Sequence, residues 1–421
     1  MYKMNSWKKE VTLESQANTF IERRFEVACS YLTGGSNILN EWRARKEEYI
    51  SYTNSVVFDF QHYSRHDVTH SVNILESIEL ILGQNRVEKL SAGDLWLLLE
   101  CAYYHDIGMA LNYVDLKKVW ESADFKEYLE EILSEKQTDI KDAALWYKQA
   151  DNLLQDRFKL EEIEEEDEII FQKTWPVDME RKILFLVGEY IRRNHAMTSQ
   201  RYLYRFGDAN IIQRRLYQLV GEISAAHGAD FEAVLSMKKE AKGFGIDKIH
   251  PRFVAELLRI GDLLDMDNNR FNLHAIEHYG TLPWSSEIHL RKHKAMSHIL
   301  ISERKITAEA EEENLDVCKV TNDWFQYINA EVKNLICYWN EMAPEDIGGC
   351  IMQMPECKIF HPKYPIEFKS SQQRQFEVDK TKLTELLIGT NIYDSDLEFL
   401  REYIQNALDA TKMQIWMDLS K

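Results

Sequence analysis

The sequence predicts a mainly α protein: a helical bundle with a small β insert, followed by a partial α/β segment. Three observations lead there. Only 7 prolines and 16 glycines interrupt 421 residues, which fits long helices joined by short loops. Apolar residues recur at helical spacing through most of the chain. Strand-like alternation is confined to a stretch at about 285–310 and to another beyond 355.

Composition narrows the class. A hydrophobic content of 45% supports a proper core. A net charge of −19 argues against binding long nucleic acid, which needs basic surface. It leaves room for small anionic substrates held by a few local arginines. The six cysteines (Cys29, Cys101, Cys318, Cys337, Cys350 and Cys357) show no CxxC spacing, so no disulfide framework or structural zinc cluster is expected. The first ten residues lack the apolar core of a signal peptide, and no stretch reaches the length of a membrane span. A cytoplasmic location without a membrane partner is the expectation.

In chain order, residues 1–50 read as an N-terminal helical region with charged faces, as in Phe20-Ile21-Glu22-Arg23-Arg24-Phe25, turning at Gly34-Gly35. Residues 51–345 read as one domain. A histidine-rich segment, His62 to Ser71, runs into a helix with Val72, Leu75, Ile78, Leu80 and Ile81 on one broad face, closed by Gly83. A central helix, Leu95 to Asp106, is an apolar run that delivers His105-Asp106 and stops at Gly108. Residues 114–170 form a charged helical insert. Its acidic run, Glu161 to Glu168, reads as a solvated helix face or mobile insert. Pro176 marks a helix start, and Ile183 to Ile191 lead to Arg192-Arg193-Asn194-His195. Two more helices end at His227-Gly228 and at Asp262-Leu263-Leu264-Asp265. Glu287–Arg291 and His298–Ser302 read as strands, followed by Lys305–Ala308, giving the β insert. Helix returns from Leu315 to Met342, and Met342–Gly349 reads as a linker. In 355–421, Ile366–Lys369 and Gln375–Val378 are strand-like, and a final helix runs from Asp396 to about Met417.

Several of these helices share a grammar, an apolar body that ends in a histidine or an aspartate, at His70, His105-Asp106, His195, His227 and Asp262. A buried helix tip avoids an unpaired carboxylate because burying it is costly, and a bound metal ion removes that cost. Imidazole and carboxylate are ordinary ligands of first-row metals. A helical bundle can aim such ends into one cavity. The competing reading is a set of capped helix ends whose His and Asp side chains bond locally. For His227 before Gly228, helix electrostatics alone favours a histidine there.

The order Thr69-His70-Ser71, then Tyr104-His105-Asp106-Ile107-Gly108, then Arg259-Ile260-Gly261-Asp262-Leu263-Leu264-Asp265 resembles the HD superfamily of metal-dependent phosphohydrolases over roughly residues 50–280. The resemblance implies that His70, His105, Asp106 and Asp262 hold a first divalent ion. It implies that His195 and His227 hold a second, with Asp106 as the bridge; the ion would be Mn, Mg, Co, Ni or Fe. The chemistry implied is attack on phosphorus by a water ionised near neutral pH. Candidate phosphate contacts are Arg65, Arg192, Arg193, Arg259 and Arg270, each with a surface salt bridge as its alternative. Arg65 lies five residues before His70, and Arg192 three before His195. His66, four before His70, is the candidate acid or substrate contact, so that His66, Asp106 and Arg65 form the expected catalytic group. Lys292, His293 and His298 are further candidates for phosphate contact. The first expected activity is hydrolysis of deoxynucleoside triphosphates in bacterial antiviral defence. The rivals are a phosphodiesterase acting on cyclic or short oligonucleotides and a non-catalytic nucleotide-sensing or assembly module. A homo-oligomer is expected, with a partner protein from a defence operon as a further possibility.

Leu386-Leu387-Ile388-Gly389, Tyr393 and the helix bearing Glu402, Asn406 and Asp409 are similar to the first ATP-binding motif of the Hsp90-like ATPases. In that family the glutamate can activate the attacking water and the asparagine coordinates magnesium. The chain stops at Lys421, before the family's later glycine-bearing motifs. The segment is therefore expected not to bind ATP by itself, and Mg-ATP would enter only with a complete ATPase domain. Either the chain is a fragment of a longer protein or this segment is a remnant that packs as structure.

Overall fold

A thirteen-residue helix with every residue buried forms the axis of the fold. A computed structural model describes residues 19–59, 67–110, 113–134, 140–146, 162–165, 168–171, 177–202, 212–266, 271, 284–363, 367–368 and 403–412. The chain divides into two compact units, Met1–Phe368 and Lys369–Lys421. Among the described residues, no helix is long and apolar enough to cross a membrane.

Among the described residues, the first elements of this unit are α1 (Phe20–Ser30) and α2 (Gly35–Asp59). A capping box starts α1: the Thr19 hydroxyl accepts from the Glu22 N–H while the Glu22 carboxylate accepts from the Thr19 N–H. Next come α3 (Val68–Leu82) and the single turn α4 (Gln84–Val87). Asp67 caps α3 by accepting from the Thr69 N–H at 2.9 Å, and Gly83 ends it at φ 74°, a left-handed backbone that glycine adopts without strain. The axial helix is α5 (Ala92–Tyr104). It is ringed by α1, α2, α3 and the two later helices α9 (Arg214–Ala226) and α11 (Pro251–Leu264). Each fully buried leucine of Leu95-Trp96-Leu97-Leu98-Leu99 contributes about 1.5–3 kcal/mol, so the centre of the bundle is strongly specified.

After α5 come a 3-10 turn, Ile107–Met109, then α6 (Tyr113–Glu121) and α7 (Ala123–Ser134), and residues 140–146 are also helical. The acidic run is a hairpin rather than a helix: β1 (Glu162–Glu165) pairs antiparallel with β2 (Glu168–Phe171). β-branched Ile163, Ile169 and Ile170 favour the extended arms. The next helix, α8 (Val177–Tyr202), continues seven residues past His195. Between α9 and α11 lie α10 (Phe231–Ser236) and a short hairpin, β3 (Ala241–Lys242) with β4 (Lys248–Ile249).

The β insert differs from expectation at its start. Glu287–Arg291 belongs to a helix, α12 (Trp284–Ala295), tied by an Arg291–Glu287 ion pair at i,i+4 (2.7 Å). The strands are β5 (Met296–Ile301), β6 (Ile306–Glu311) and β7 (Glu356–Phe360), in that order in one sheet. β5 and β6 pair antiparallel; β6 and β7 pair parallel. Between them runs α13 (Leu315–Met342). The stretch read as a linker is packed: Ala343 and Ile347 are buried, and Arg86 and Trp339 donate to the carbonyls of Gly349 and Gly348. Glu367 bridges Phe360, while Gln375–Val378 lie outside the described residues. In the second unit, residues 403–412 are helical and exposed. Asn406 and Asp409 lie on that helix, and Glu402 lies outside the described residues.

Candidate metal centre

Five helices bring six side chains together. His70 sits in the first turn of α3, His105 caps the end of α5, and Asp106 follows it at φ −95°, ψ 4°. His195 is inside α8, His227 caps the end of α9, and Asp262 lies in the last turn of α11. The expected grammar of apolar bodies ending in a histidine or an aspartate holds for α5, α9 and α11. It does not describe His70, which opens its helix, or His195, which lies mid-helix.

Glycines permit this convergence. A Cβ on Gly108 would lie 2.2 Å from the His195 carbonyl oxygen, so the turn after Asp106 lies directly on α8. A Cβ on Gly261 would meet Ile74 and Ile78 at 3.0 and 3.1 Å, so α11 and α3 are pressed together beside Asp262 and His70.

The Asp106 carboxylate divides the centre. Its Oδ2 lies 3.3 Å from His70 Nε2 and 3.1 Å from His105 Nε2. Its Oδ1 lies 3.2 Å from His195 Nε2 and 4.0 Å from His227 Nε2. Asp262 Oδ1 approaches His70 Nε2 at 3.3 Å. His70, His105 and Asp106 are buried, whereas 22% of the His195 side chain and 29% of the Asp262 side chain are exposed, so the centre opens on that side.

All four rings present the same nitrogen inward. His70 Nδ1–H donates to Asp265 Oδ2 at 2.6 Å. His105 Nδ1–H donates to the Ala102 carbonyl, His195 to that of Arg192, and His227 to that of Ser224. With Nδ1 carrying a proton, each ring turns its Nε2 toward Asp106, and that nitrogen offers a lone pair wherever the ring is neutral. The Nε2 atoms then meet in pairs, His70 with His105 at 3.3 Å and His195 with His227 at 2.9 Å. Facing lone pairs at that separation repel unless a proton or a metal cation joins them.

The electrostatics follow the same division. Burial first, then the neighbouring His195 and His105 rings, push His227 down to about 3, leaving a neutral imidazole. Burial works against a charged His195, but the Asp106 hydrogen bond and charge outweigh it and raise its pKa. Burial also works against a charged Asp262; the His70 hydrogen bond and the His70 and His105 charges overcome it and hold its carboxyl well below the usual range. Three overlapping subsets of these residues could hold a metal ion: His70, His105 and Asp106; His105, His227 and Asp262; and Asp106, His195 and His227. Nitrogen and carboxylate donors at this density fit a divalent first-row ion.

The expected cations fare differently. Arg192 is paired with Glu189 at 2.7 Å, and Arg193 lies over the Tyr128 ring at 5.1 Å. Four of the five Arg259 N–H donors are taken by Glu331 and the carbonyls of Ala226 and Ala229. Arg65, His66 and Arg270 lie outside the described residues. Lys292 and His293 are buried on α12, with Lys292 Nζ 3.2 Å from the Trp324 ring centroid, and His298 is exposed on β5.

Sequence reading missed the supports. Asp265 holds His70 and also accepts from Asn73 Nδ2 at 2.9 Å. Its signal was present: Asp265 follows Asp262 by three residues, and Asn73 follows His70 by three, one helical turn in each case. Ser199 donates to the His105 carbonyl at 2.6 Å and accepts from the Gly108 N–H at 2.9 Å, and Tyr104 donates to the Ser199 carbonyl at 2.6 Å. Ser199 lies four residues after His195 on α8.

A family model, HD-CE, matches residues 60–334, a stretch that contains all six converging residues. No curated protein and no solved structure matches the chain.

Proposed function

The chain belongs to the HD-CE family, and from that premise we propose that it is a metal-dependent phosphohydrolase acting on nucleotides. The observation that supports this reading most is the split of the Asp106 carboxylate between two pairs of imidazoles. On this reading His70, His105, Asp106 and Asp262 hold one ion, and Asp106, His195 and His227 hold the other. When bound, the ions supply Lewis acidity, which acidifies water and neutralises charge on phosphoryl oxygens.

The chain's own residues supply the rest. Asp265 and three backbone carbonyls keep a proton on each Nδ1, so Nε2 is the nitrogen that every ring offers to an ion. The buried side, built from His70, His105 and Asp106, excludes water from behind the centre. The substrate enters on the open side, past His195 and Asp262. Arg65, His66 and Arg270 are the proposed phosphate contacts, since Arg192, Arg193 and Arg259 have other partners. Deoxynucleoside triphosphates are the first substrates to test, ahead of cyclic and short oligonucleotides.

The test incubates the protein with Mn, Mg, Co or Ni and a panel of nucleoside triphosphates, monophosphates and cyclic oligonucleotides, with Asp106→Ala as control. Release of phosphate, or of a cleaved nucleotide, that falls to background in the variant supports the reading. Turnover unchanged in Asp106→Ala overturns it. Metal and nucleotide binding without turnover of any substrate favours a sensor.

A further inference from the structure

Arg259 gives no donor to the centre, yet it ties together three helices, two of which carry ligands. It lies on α11 one turn before Asp262. Its Nε and Nη2 donate to the two carboxylate oxygens of Glu331 on α13, at 3.1 and 2.6 Å. Its Nη1 donates to the carbonyls of Ala226 and Ala229, both at 2.5 Å. Those carbonyls bracket His227. The last carbonyls of a helix have no partner within it, and the guanidinium supplies one here. Both side chains are nearly buried, Arg259 10% and Glu331 11% exposed, so the pair is little screened by solvent.

The same turn is seated from the opposite side. A Cβ on Gly228 would come 2.9 Å from the Ala196 Cβ, so residues 226–229 press on α8 one residue past His195. Glu256, fully buried on α11 one turn before Arg259, has its carboxyl pushed up by burial and then by the Glu331 charge.

We propose that Arg259 and Glu331 are a positioning pair for the second half of the centre: they fix the 226–229 turn, and with it His227, relative to Asp262, and so set the affinity of the second ion. The inference rests on the two-ion reading. It requires arginine specifically. One edge of the planar fork meets Glu331 bidentately while another nitrogen reaches two carbonyls, and an ammonium cannot span both.

The test is a Mn²⁺ titration of the full chain, followed by equilibrium binding and by the electron paramagnetic resonance of the bound ions. Wild type is expected to take up two ions and His227→Ala to lose one. Arg259→Lys and Glu331→Gln should keep the first ion within about twofold and weaken the second by about 10- to 100-fold, the usual effect of losing a residue that orients a ligand. Glu331→Gln preserves shape and carries the test if Arg259→Lys does not fold, as judged by thermal unfolding. Wild-type binding of both ions in both variants overturns the inference and leaves the two-ion reading intact. Equal weakening of both ions also overturns it, because a merely structural role predicts that pattern. A wild-type chain that binds fewer than two ions overturns the reading and the inference together.

Discussion

Two hydrophobic cores meet at Asp106, and they hold the centre unequally. The larger core packs α3, α5, α9 and α11, the helices that carry His70, His105, His227 and Asp262. The smaller one is built from Phe125, Tyr128, Leu129 and Ile132 of α7 and Ile183, Leu186, Val187 and Ile191 of α8, with Val56 of α2. Of the six converging residues, His195 alone stands on a helix of the smaller core. The turn after Asp106 crosses the seam: Ile107 belongs to the larger core, Met109 and Ala110 to the smaller. Side chains drawn from both sides make the centre a joint between two packed cores, and the backbone at that joint sets how well the two halves register.

The most damaging single change to this joint is expected to be Gly108→Ala. The new Cβ would meet the His195 carbonyl at 2.2 Å and the Ser199 nitrogen at 2.7 Å, both backbone atoms that no rotamer change can move. Relief requires α8 to separate from α5, which also breaks the Ser199 bonds to His105 and Gly108. A loss of about 3 kcal/mol is expected, the upper range for overpacking, together with weakened binding on the His195 side. Urea unfolding and Mn²⁺ titration read the two effects. An unchanged unfolding midpoint would break the account of a tight seam.

Asp265→Asn sharpens the comparison from the other side. His105, His195 and His227 each donate Nδ1–H to a carbonyl three residues earlier on their own helix. His70 opens its helix and relies instead on a buried side-chain carboxylate. The Asn variant exchanges a charge-assisted bond for a neutral one, so the first ion should weaken by about 10- to 100-fold while the His195 side holds. Parallel loss at both halves would show that the division at Asp106 has no energetic meaning.

The larger core was the more legible one. Periodicity located α3, α5, α9 and α11, and the ordered His and Asp residues on them pointed to one site before any distance was known. Local patterns failed where longer-range packing decided. The Glu287-Ile288-His289-Leu290-Arg291 alternation imitates a strand, but helix-forming Glu, Leu, Arg and Lys and the i,i+4 pair make it α12. β7 pairs in parallel with β6 across the whole of α13, and no local signal announces such a partner. Arg259 illustrates a different limit. Its bonds to the Ala226 and Ala229 carbonyls could not be foreseen, because carbonyl groups leave no trace in sequence.

The smallest expected effect separates the halves by pH. Asp106 raises His195 above the ordinary value of 6.5, while His227 is held down at about 3. Asp106 thus favours a proton on His195 in the metal-free chain, and an ion entering there must displace it. Affinity for that ion should fall as pH drops through the raised His195 pKa, by about tenfold per unit for one proton. The metal-free chain has the opposite slope. A histidine raised by folding stabilises fully below its unfolded value, and that contribution is lost as pH rises through the folded value. Burial also lifts Glu79 to about 7 and Glu100 to about 8 with or without metal, so the informative quantity is the difference between chelated and Mn²⁺-loaded chains. That difference in unfolding free energy should widen as pH rises from 6 to 8 in wild type and stay flatter in His195→Gln. Identical widening in both would place the displaced proton elsewhere than on His195.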